Sequence, residues 1–293
     1  MKNKLQLSLL LISPLLVSTL FSQTISDKSF QKLMKLSGIN KQVAQYPDLV
    51  ISGMQQARAQ GSPISNSQFS EMVEPVKSSF EVTKFLYIIG AEIKQSVSEE
   101  NAQKLFVWYE SKLGKLITKL EEKASTPQAY QDMIQNARSL FSDQERLNIA
   151  KSLDNSIGAS EMSYQIQKNT ATAVFSATAL AVDPNPKIAI ERFKSQLSTQ
   201  EIRMRTNGTQ MVLLSLIYSY QDVEISKLQK YVDFVDHSDT KAFNIAVVTG
   251  MKKAFLQSIN TMSAKLAKVF NRFRIDKSKE STLDRLTEES FKD

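Results

Sequence analysis

Residues that break a helix are scarce in this chain, since 293 residues include only 8 Gly and 7 Pro. Apolar residues recur at helical spacing almost throughout, and no segment sustains the two-residue alternation of a half-buried strand. Together these facts predict an all-α protein, a multi-helix bundle of antiparallel helices. An apolar fraction of 42% with 15 Phe supplies enough material for a packed core and excludes a wholly disordered chain. Cys is absent, so there is no disulfide framework, thiol nucleophile, thiolate metal site or lipid-attachment cysteine. Stability has to come from packing.

Helical spacing falls near Ser29–Lys35, Asn40–Gln60, Ser67–Gln95, Glu99–Glu122, Pro127–Leu140, Asp143–Leu153, Ser160–Ala181, Pro186–Gln196, Glu201–Tyr218 and Val223–Phe273. Start signals support these segments: Ser98 precedes Glu99 and Glu100, Ser142 and Asp143 precede Gln144 and Glu145, and Thr126 precedes Pro127. The stretches Gln60–Asn66 and Asp183–Pro186 collect residues that cannot continue a helix and read as loops. The run Thr170–Val182 is apolar and Ala-rich but, at about 13 residues, too short to span a bilayer. Its small residues permit close helix approach, which makes it a candidate central helix.

Residues Met1–Ser22 read as a secretory signal peptide. Lys2 and Lys4 form the positive start, Leu5–Phe21 an uncharged Leu-rich run, and Ser22 a small residue for cleavage. A run of about 17 residues containing Pro14 is short for a membrane span. The expectation is therefore a periplasmic or secreted protein with no membrane span after cleavage. The remaining chain divides into a first helical unit over residues 23–158, a second over 159–275 packed on the first, and a charged tail over 276–293. Its mild positive charge does not point to nucleic acid.

Two stretches share a pattern 126 positions apart: Leu105–Lys115 and Tyr231–Lys241. Each is an amphipathic helix with aromatics on one face, an acid, a short break, then Lys and a second helix. The pattern makes a tight corner with inward-pointing aromatics, and a duplication would make the two units related. Here the chain resembles a bacterial periplasmic family of unknown function, whose members carry an aromatic-rich helix, a Ser-x-x-Gly-Lys-like turn and further helices. Trp108, Tyr109, Ser111, Gly114 and Lys115 fit that turn, and Leu33–Gly38 resembles the opening helix. In the second stretch Thr240 stands where the glycine would be. The resemblance implies a helical envelope protein and no particular chemistry.

Catalytic motifs are missing. There is one histidine, His237, and no cysteine, so a zinc site of the usual kind lacks its ligands, and no metal or other cofactor is expected. His237 lies between Asp236 and Asp239 but has no nucleophile elbow to serve, and reads as a polar corner residue. No phosphate-cradling glycine motif occurs. The best enzymatic candidate is Glu110 beside Ser111, superficially like a lytic transglycosylase that cleaves peptidoglycan with one protonated Glu. The glycine-rich sequence that follows in such enzymes is missing after Gly114. Asn207–Thr209 matches a glycosylation acceptor by three residues and reads as a polar turn.

The sharpest feature is Lys241–Ile275, with seven basic residues and no acid. Val248, Met251, Phe255, Ile259, Met262, Leu266, Val269 and Phe273 gather within about 80° of a helix wheel. Lys253, Lys265, Lys268 and Arg272 fall elsewhere on it. The apolar stripe could pack on a core or lie on a membrane surface, and its near seven-residue repeat favours packing against other helices; the basic face is a candidate contact for an envelope protein or anionic envelope surface. The acid-rich residues 276–293 could fold back over it. The reading that follows is an exported, non-enzymatic helical protein that acts by binding. The alternatives are a peptidoglycan-cleaving enzyme using Glu110 and a carrier with an apolar cavity near Thr170–Val182.

Overall fold

The computed structural model describes residues 24–59, 65–183 and 185–290. Residues Met1–Ser22, expected to be a signal peptide, and the centre of the Gln60–Asn66 loop lie outside them. The helices are α1 (Asp27–Leu36), α2 (Ile39–Ala44), α3 (Tyr46–Ala59), α4 (Asn66–Lys77), α5 (Val82–Ser96), α6 (Glu99–Glu110), α7 (Lys112–Ala124), α8 (Pro127–Gln135), α9 (Ala137–Leu140), α10 (Gln144–Ile157), α11 (Ala159–Val182), α12 (Lys187–Thr199), α13 (Glu201–Ser219), α14 (Ile225–Asp236) and α15 (Ser238–Ser290). No strand occurs among the described residues; one isolated bridge joins Thr24 to Ser98. The protein is an all-α multi-helix bundle.

Side-chain caps set many of the helix starts. Ser98, Thr126 and Asp143 each accept the backbone N–H three residues on, as their sequence context predicts. Ser65 and Gln68 form a reciprocal capping box. Several expected helices are divided. Ser67–Gln95 splits into α4 and α5 because Pro75 lies in the closing turns of α4, removing one backbone donor, and the chain turns at Ser78. Glu99–Glu122 splits at Ser111 and Val223–Phe273 at His237, each the single extended residue of a corner. Asn207–Thr209 is not a turn: it lies inside α13, where buried Gly208 packs beside Ser163 and Gln167 of α11.

α15 is the spine of the bundle, packing along α5 and α11 and touching α4, α6 and α14. Its stripe faces inward: Ile259, Met262, Leu266 and Val269 are buried in the main core beside Phe85, Ile89 and Ile93 of α5. Full burial of such a side chain is worth roughly 1.5–3 kcal/mol. Ala173 and Ala177 of α11 are buried here too, close enough that Ser263 Oγ donates to the Ala173 carbonyl at 2.8 Å. The main core draws on residues from Ile25 to Val269, on both sides of residue 158. A second cluster joins Ile117, Leu153, Tyr220, Leu228 and Val232, and a third joins Met133, Leu140, Leu213 and Ile217. The backbone of the charged C-terminal segment, as far as Ser290, continues α15 rather than turning back along it.

Candidate functional site

The two corners predicted from sequence are equivalent in three dimensions. α6 and α14 begin 126 positions apart and end 126 positions apart, as do the extended corner residues Ser111 and His237. Ser111 N–H donates to Trp108 O at 2.9 Å, and His237 N–H donates to Phe234 O at 3.2 Å. Lys115 N–H returns to Ser111 O at 3.1 Å, and Lys241 N–H returns to His237 O at 3.0 Å. Ala102 and Leu228 occupy matching positions and are both buried, as are Phe106 and Val232.

These corners meet at their counterparts. Trp108 stacks on Phe234, its equivalent 126 residues later, with centroids 4.3 Å apart and planes 8° apart. Residues touching their own equivalents are the mark of an isologous, twofold-like contact. A cleft of about 480 Å³ opens over it, lined by both members of three equivalent pairs: Lys104 and Lys230, Val107 and Asp233, Trp108 and Phe234. Val107 is 75% exposed. Lys104 is bound to Glu100 and Asp239, each at 3.1 Å, whereas Lys230 has no ion-pair partner among the described residues. His237 is an exposed corner residue whose Nδ1 accepts from Asp239 N–H at 3.4 Å.

Gly114 is where the corners differ. Its φ is not left-handed; a Cβ there would stand 2.1 Å from the Trp108 carbonyl oxygen. The first corner thus needs a missing side chain, not an unusual backbone, and the second accommodates buried Thr240 at the matching place. Gly114→Ala is expected to cost about 2 kcal/mol by overpacking. The checking measurement is a thermal melt, with a fall of roughly 4–8 °C for a chain of this size.

The basic face is largely engaged within the fold. Lys253 pairs with Glu92 of α5 at 2.6 Å, Lys265 donates to Ser78 Oγ at 2.8 Å and Ser78 O at 3.0 Å, and Arg272 lies 3.7 Å from Glu71 of α4. Lys268 alone of the four is exposed without a partner among the described residues. Glu110 is half-exposed and paired with Lys32 at 2.8 Å.

The carboxyl that is out of the ordinary is Glu121, on α7. Tyr220 and Tyr231 both donate their hydroxyls to its Oε1 at 2.7 Å. Tyr231 also lies over Trp108, centroids 5.8 Å apart, so an aromatic column runs from the cleft to this carboxyl. Burial raises the Glu121 pKa from the ordinary value, outweighing the two hydroxyl contacts, and neighbouring Glu122 adds to the rise. Burial and Glu121 push both phenols upward, which keeps them neutral donors.

The other titratable groups facing Glu121 are Tyr109 and Glu122, the latter paired with Lys41. A carboxyl whose pKa is raised by folding holds an extra proton in the native state. Its stabilising contribution is therefore complete below the unfolded value and declines as pH rises through the raised one. Glu121→Gln is expected to abolish that decline. In urea unfolding between about pH 4 and about pH 8, wild type should lose stability relative to the variant as pH rises.

No group of three or more His, Asp or Glu among the described residues is placed to hold a metal ion, and no helix among them is long and apolar enough to cross a membrane. No family model matches the chain, and neither does any curated protein sequence or solved structure.

Proposed function

We propose that this is an exported, non-enzymatic helical protein of the bacterial envelope, and that it binds a partner protein through the cleft between the two corners. The observation that carries this reading is the cleft itself: exposed Val107 beside the stacked Trp108 and Phe234, with unpaired Lys230 at the rim. Exposed apolar surface next to aromatic rings, bordered by cations, suits a partner segment that presents an apolar side chain and a carboxylate. The export part rests on the character of residues 1–22 and on the resemblance of the Trp108–Lys115 corner to a periplasmic family. Contact through Lys253, Lys265 and Arg272 is less favoured, because their charges already have partners inside the molecule. Glu110 is likewise already engaged, in an ion pair with Lys32, which favours binding over glycan cleavage.

Photocrosslinking tests the reading in cells. A benzophenone side chain at position 107 should give a discrete protein adduct that Lys230→Glu weakens. The same group at position 202, where Ile202 is equally open to solvent at 83%, should not give it. The same adducts at both positions, or none at 107, would overturn the proposal.

A further inference from the structure

A second pocket, of about 360 Å³ and partly open to solvent, is lined from α2, α3, α7, α8, α10, α13 and α14, and Glu121 is the one charged residue among those lining it. Leu49, Met133, Ile157 and Leu216 contribute apolar walls. Three tyrosines, Tyr130, Tyr220 and Tyr231, border the same space. Both hydroxyl contacts to the carboxyl fall on Oε1. Oε2 has no hydrogen-bond partner among the described residues, nor is it one of the sealed, unpartnered atoms, which are Thr118 Oγ1 and Asn244 Nδ2. It is therefore not sealed off, on a residue that lines this pocket.

We infer that this cavity is a binding site for a small organic ammonium ion with an apolar body, its N–H groups donating to Glu121 Oε2. The donor and acceptor inventory points this way. The tyrosine hydroxyls spend their protons on Oε1, so in the ionised carboxyl Oε2 is the oxygen left to accept from a donor, and binding of an ammonium ion favours that ionised form. An anionic group among aromatic rings, with no Lys, Arg or His on the walls, is the setting that recognises organic cations. A ligand cation also supplies the charge partner that the fold withholds: burial makes the Glu121 carboxylate costly, and an ammonium ion beside it offsets that cost.

The test is calorimetric titration of the full chain with phenethylammonium chloride, using phenethyl alcohol as an uncharged control of nearly the same shape. Wild type should bind the ammonium ion at least tenfold more tightly than the alcohol. Glu121→Gln should remove that preference with the helical content unchanged. Should this variant fail to fold, Ser215→Trp decides: exposed Ser215 lines the pocket, so an indole there takes up space at its wall while the carboxyl is retained, and should weaken ammonium binding at least tenfold. Equal affinity for alcohol and ammonium, or ammonium binding undiminished in either folded variant, would overturn the assignment, as would absence of binding to wild type. The outcome is independent of crosslinking at position 107, so each proposal stands or falls alone.

Discussion

Phe85→Ala is expected to lower the melting temperature by roughly 12 °C, from a loss of about 4 kcal/mol. Phe85 is 1% exposed and sits where four segments converge. Its ring meets Phe255 of α15 edge-on at 5.0 Å, Tyr46 of α3 edge-on at 5.6 Å, and Phe80, between α4 and α5, in a stacked arrangement at 6.2 Å. Truncation removes a large apolar side chain and leaves a void whose walls belong to different helices, so no one neighbour can relax into it. It also removes the edge-to-face contacts, each worth about 0.5–1.5 kcal/mol beyond area burial. Calorimetry of the purified variant is the check; a fall of only about 2 °C would mean that α5 and α15 are less tightly joined than this packing implies.

The second large effect is the opposite operation, adding atoms where none fit. Gly250 of α15 crosses α5 so closely that a Cβ would stand 2.6 Å from the Cα of Ile89, which is itself fully buried. Backbone cannot rotate away as a long side chain can, so Gly250→Val forces the two helices apart along their crossing. The expected cost is about 3 kcal/mol, or roughly 9 °C of melting temperature. Gly53 of α3 supplies the internal contrast. A Cβ there meets nothing within 4 Å, so Gly53→Ala should be neutral or stabilising by about 0.5 kcal/mol, through reduced freedom of the unfolded chain. A destabilised Gly250→Val beside an unharmed Gly53→Ala, in parallel melts, would separate close packing from any general sensitivity to replacing glycine.

Local chemistry made much of this architecture readable in advance. Ser98, Thr126 and Asp143 cap helices because their hydroxyls and carboxylate satisfy amides only three residues away, and the Trp108 and Phe234 corners follow from contacts inside a dozen residues. The inward stripe of α15 was equally legible, since periodicity alone puts Ile259, Met262 and Leu266 on one face. The fate of the charges was not. A helix wheel places Lys253 and Lys265 off the apolar stripe, but their partners, Glu92 of α5 and Ser78 just after α4, lie 161 and 187 positions away. Glu121 was missed for the same reason. In sequence it stands in an ordinary run of charged residues, and only Tyr220 and Tyr231, brought in from 99 and 110 positions later, set it apart.

α15 has a bearing on the order in which the molecule can be assembled. At 53 residues it is roughly 80 Å long, and its residues 243–269 complete the core that α1, α4, α5 and α6 begin. A nascent chain that has emitted those four helices still lacks the surface they close upon. The main core therefore cannot consolidate until about nine-tenths of the polypeptide has been synthesised, and its contacts join distant parts of the sequence, which slows closure further. The same spine that holds the finished bundle together therefore sets the moment at which the bundle can close, near the end of synthesis.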